Sequence, residues 1–60
     1  MQYKVLSREN EIYSFALEEL EKEVQKLIKI GWIPQGGVSV TSFTIDITHH
    51  IVAQAMVKED

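Results

Sequence analysis

The chain has no cysteine, so neither a disulfide framework nor a thiolate zinc site can brace it. Arginine is scarce as well. Arg8 is the only one, and six basic residues face nine acidic ones for a net charge of −3. A nucleic-acid binder of this size needs an excess of Lys and Arg to neutralise phosphates, and no nucleic-acid partner is expected. Long apolar runs are missing too, and nothing approaches the ~20 residues that cross a membrane as a helix. No basic-then-apolar leader opens the sequence. No membrane partner is expected, and a cytoplasmic setting is the default.

Proline and glycine are equally rare. Pro34 is the one proline, and the three glycines are Gly31, Gly36 and Gly37. All four fall in the single run Gly31-Trp32-Ile33-Pro34-Gln35-Gly36-Gly37. Gly31 supplies the left-handed residue that ends a helix, and Trp32 the apolar body that packs back on it. Pro34 forbids a helical restart, and the Gly pair lets the backbone bulge into a strand. The run marks a helix-to-sheet transition.

What is present is ordinary globular composition, 45% apolar and 25% charged. Sixty residues allow one domain, spanning 1–60, near the lower limit of independent folding. Domains this small usually rely on disulfides, a metal or a partner chain. With cysteine absent, association with a second copy is the device left.

Gln2 to Leu6 alternates and reads as a first strand. Ser7 to Glu11 is polar and reads as a connecting loop. Ser14 is the expected N-cap, after which Leu17, Leu20, Val24, Leu27 and Ile28 recur on one helical face. Glu18, Glu19, Glu21 and Glu23 fill the first part of the outer face and Lys22, Lys26 and Lys29 the last part, in broad accord with the helix dipole. With Gly31 at C′, Trp32 falls at C″ and should pack on Leu27, as in a Schellman ending. Val38 to Phe43 alternates as a second strand, a turn is expected around Asp46, and His49 to Lys58 forms the third.

The order is β-α-β-β. The helix returns the chain so that the first two strands run parallel, and a hairpin makes the third antiparallel to both. The expected fold is α+β, a mainly antiparallel three-stranded sheet of order 1-3-2 with one helix on one face. The other face is then uncovered. Val52 and Met56, with Leu6 or Phe43, are expected there, opposite Ile51, Ala53, Ala55 and Val57. Whichever set meets the helix, the other stays apolar, and exposed apolar patches of that kind mark an interface.

Chemistry-bearing motifs are sparse. Gly36-Gly37 could form an anion nest, but phosphate loops feed a helix and here a strand follows, so a bulge is the better reading. His49 and His50 are adjacent on a strand and point to opposite faces, so they cannot chelate one ion. No metal or cofactor is expected, and no arrangement of Ser, His and Asp resembles a nucleophile elbow. Gln54 is a polar amide among Ala53, Ala55 and Met56 and needs a partner.

Tyr3–Val5 (YKV), Leu20–Val40 (LEKEVQKLIKIGWIPQGGVSV) and Gln54–Lys58 (QAMVK) together resemble the small bacterial and viral family known as domain of unknown function 1737. The shared elements are a helix ending in GW, a P-x-GG-V turn and a closing QAM strand. The resemblance covers nearly the whole chain. It implies a bacterial or phage setting and a small self-contained domain, and offers no catalytic residues to carry over.

The function expected is that of a non-enzymatic, homo-oligomeric interaction module, a dimer or tetramer that binds itself or another protein, with Val52 and Met56 at its interface. The alternative is a protein that binds or sequesters a small molecule, such as a nucleotide-like signal. Its sites would lie at subunit seams around Trp32, Gln35, Gly36, Gly37 and Gln54.

Overall fold

A computed structural model describes residues 1–60. Strand β1 (Gln2–Asn10) leads into helix α1 (Tyr13–Lys29), followed by β2 (Ile33–Ile45) and β3 (Ile47–Lys58). The sheet has the order β1-β3-β2, with both pairs antiparallel. The expected α+β architecture is therefore present, and β3 lies at its centre.

β1 runs further than its apolar residues suggest. Ser7 to Asn10, read as loop, pair with Ala53 to His50 of β3. Alternation continues there without hydrophobicity: Leu6, Arg8 and Asn10 are half-buried while Val5, Ser7 and Glu9 are exposed. An edge strand can carry polar side chains because its long neighbour supplies the ladder.

The helix also begins earlier than Ser14. Ile12 stands at the N-cap without a side-chain cap bond, and its carbonyl accepts from Phe15 and Ala16 at 3.1 and 3.2 Å. Asn10 replaces the expected cap by turning the chain two residues ahead, its Oδ1 accepting from the Ile12 N–H at 2.9 Å. Ala16, Leu20 and Leu27 are the buried helical residues. Leu17 and Ile28 fall to one side of that line, and Ile28 is exposed.

The helix ends as its sequence implies. Gly31 has φ +100°, its N–H donates to the Ile28 carbonyl at 3.1 Å, and the Trp32 N–H donates to the Leu27 carbonyl at 3.0 Å. This is the Schellman pair of bonds. Trp32, Leu27 and Met56 form one core cluster, and Ala16, Leu20 and Val52 form the other.

β2 is bulged at the glycine pair. Gln35 faces Ala55 and Ser39 faces Ala53, so Gly36 to Val38 stand opposite Gln54 alone. Two extra residues preserve the inward-outward alternation, whereas one would have reversed every side chain beyond it. Gly36 has φ +73°, which suits a residue without Cβ. At the far end Asp46 joins β2 to β3 at φ +68°, a left-handed position that Asp tolerates.

Seven residues of the sixty are buried, and the Cα radius of gyration is 12.6 Å. A compact chain of this length has a radius of about 10.4 Å. The excess comes from the β2–β3 ribbon, which continues past the end of β1 at the Asn10–His50 pair and stretches the molecule to 44 Å.

Candidate functional site

The register divides the sheet into two faces. Lys4, Leu6 and Arg8 of β1 pair with Met56, Gln54 and Val52 of β3, and these positions lie under or beside the helix. Val52 and Met56 are fully buried there. Their expected place on the uncovered face is thus corrected, and neither is available to a partner. Side-chain size supplies the reason: Val, Leu and Met fill the space beneath the helix where Ala does not.

The opposite face has no covering layer. It carries Ile51, Ala53, Ala55 and Val57 on β3, Tyr3 and Val5 on β1, and Ile33, Phe43 and Ile45 on β2. Tyr3, Val5, Ile33 and Ile45 are more than half exposed. Fifteen residues of the chain are charged, and Glu9 is the only one at a strand position on this face. The centre is built of small side chains, Ser7, Ala53, Ala55 and Ser39, with larger ones toward both ends.

His49 and His50 lie on opposite faces. His49 stacks on Phe43 on the open side, centroids 5.1 Å apart and planes 10° from parallel. On the helix side the His50 Nδ1 makes a 2.8 Å hydrogen bond with Ser42 Oγ, and Tyr13 meets the His50 ring edge-on. No group of three or more His, Cys, Asp or Glu side chains converges in metal-binding fashion.

The residues read as ligand contacts divide between two places. Gln35, Gly36 and Gln54 come together: Gln54 Nε2 donates to the Gln35 and Gly36 carbonyls at 3.2 Å each and to the Ala55 carbonyl at 3.0 Å. The bulge begins at these carbonyls, and the buried amide finds its acceptors there. Gly37 contributes backbone alone, with open space where a Cβ would stand. Trp32 instead belongs to the core with Leu27 and Met56, and Lys4 Nζ sits 4.8 Å from its ring centroid. That contact, a cation–π pair, closes the ring off from the β1 side.

Two hollows lie on the helix side. The larger, about 390 Å³, lies among Glu18, Glu21, Lys22, Gln25, Lys26 and Lys29 on the solvent side of α1. It has no apolar wall and is open space between exposed polar and charged side chains. The second, about 250 Å³, lies between α1 and β2 and has an apolar lining. No residue of it apart from Gln54 was marked by sequence pattern as a site. The signal available was the breadth of the helical stripe, since Leu17 and Ile28 extend it beyond the line that meets β1 and β3.

No helix of the chain is long and apolar enough to cross a membrane. No protein-family model matches the sequence, and neither a curated protein nor a solved structure matches it.

Proposed function

We propose that the chain is a non-enzymatic, self-associating interaction module whose open sheet face closes on a second copy. The observation that carries this reading is the near absence of charge from an exposed, apolar sheet face that has Glu9 as its single ionic residue. Strands of 9, 13 and 12 residues, at about 3.3 Å per residue and about 4.8 Å apart, make a face of roughly 540 Å². Two such faces total about 1,100 Å², above the ~1,000 Å² that a specific interface requires. A two-fold axis lets one patch serve both partners, and in sheets stacked face to face the larger side chains toward both ends of the patch can interdigitate with those of the second copy. Each half-exposed Val or Ile so covered contributes roughly 1–1.5 kcal/mol, about half the value of full burial, and several such residues together make a large share of the stability of a domain with this little core.

The test is thermal melting by circular dichroism over a hundredfold range of protein concentration. Association through the folded state predicts a melting temperature that climbs with concentration. A constant melting temperature would remove the support for this reading.

A further inference from the structure

The helix covers β1 and β3 and leaves its other flank open. There the groove of about 250 Å³ has Leu17, Val24 and Ile28 as one wall and Pro34 and Val38 as the other, with Gln54 between them. Gln54 is 5% exposed, and its amide is unevenly used. Three carbonyls surround Nε2, which fixes that end as nitrogen, because an oxygen there would face three acceptors. Oε1, at the other end of the amide, accepts no hydrogen bond from the protein. Yet no fully buried side-chain polar atom of the chain lacks a partner, so Oε1 keeps an opening, and the groove is the hollow that Gln54 lines.

We propose that this groove is a binding site for a small, flat, largely apolar molecule that donates one N–H or O–H to Gln54 Oε1. Size limits the occupant. A cavity of about 150 Å³ takes benzene, and drug-sized ligands need about 300 Å³ or more, so one or two fused rings fit. Chemistry limits it further. The apolar walls favour a ring system, Oε1 wants a donor, and the rim residues Glu21 and Gln25 make an anion the wrong guest. The site is on the helix side of the sheet, so it stands independently of self-association through the opposite face.

Indole and benzofuran are matched probes, equal in size, one with an N–H and one with an ether oxygen in its place. Each is titrated into isotopically labelled protein at fixed protein concentration. Indole is expected to shift amide signals around Leu17, Val24, Val38 and Gln54, and to bind at least about fivefold more tightly than benzofuran, the value of one neutral hydrogen bond. Val38→Trp fills the groove from an exposed position, and it should abolish indole binding while leaving the circular dichroism spectrum unchanged. Equal affinity for the two probes, shifts confined to the open sheet face, or no shift at millimolar indole would each overturn the proposal. Indole binding that persists in a folded Val38→Trp protein would do the same.

Discussion

On the helix side of β3 stand Val52, Gln54 and Met56; on the other side stand Ile51, Ala53, Ala55 and Val57. Both sets are apolar enough to be buried, yet the first is sealed and the second is only half covered. The neighbours make the difference. The covered side has Lys4 and Arg8 along its edge, where long side chains can lie beside the helix and keep their charges in water. Arg8 reaches Glu23 of α1 at 3.6 Å. The open side has no such cationic border, and its middle is flat and small. A face built to meet water would carry charges there, so its composition fits a protein surface better than solvent.

Substitutions can break that contrast, and the largest effect is expected in the sealed layer. Trp32→Ala should lower stability by about 3–5 kcal/mol, the usual loss for a buried large aromatic. Its neighbour Ile33, on the open face and 57% exposed, should lose less than about 0.5 kcal/mol as Ile33→Ala in dilute, dissociated protein. Urea denaturation of the pair at low concentration checks both values. Similar losses would show that the two faces are not distinct.

Gln54→Leu comes next. It removes the donor that holds the bulge carbonyls of Gln35 and Gly36 and should cost about 1–3 kcal/mol, the range for polar groups left unpaired. Hydrogen exchange should rise around the bulge before it rises in the helix. Uniform exchange along the whole chain would contradict a local role for the amide.

Gly31→Val should cost about 1–2 kcal/mol through positive φ. Crowding adds little, because a Cβ there would meet only the flexible Lys58 Cε at 3.4 Å. The glycine pair provides the finest comparison. Gly36→Ala should lose about 1 kcal/mol, since φ is +73°, whereas Gly37→Ala should change stability by less than about 0.5 kcal/mol. Thermal melts of the two variants, run side by side, test whether the bulge has been located correctly.

Local devices were the most legible in the sequence. The Gly31-Trp32 ending depends on residues within one turn of each other, and the strand order followed from segment lengths and one short hairpin. Ser7 to Asn10 was not legible, because an edge strand paired on one side needs no hydrophobic pattern. Asn10 displaced Ser14 for the same kind of reason: a side chain two residues before the cap turned the chain first. Which face the helix takes is not legible, because alternation on β3 is apolar in both phases. Side-chain volume held the cue, with Val52 and Met56 large where Ala53 and Ala55 are small. Gln54 was legible as a residue needing partners. Its position beside a groove was not, because β2 is distant in sequence from the helical flank it faces.

Sedimentation equilibrium of wild type beside Ala55→Glu at about 10–100 µM, where a micromolar Kd is well populated, tests self-association through the open face most directly. Ala55 is central to that face and points away from the helical core, so the account predicts a wild-type dimer and a folded, monomeric Ala55→Glu. A monomeric wild type throughout that range, or an Ala55→Glu protein that stays assembled with a charge at the supposed seam, would contradict it.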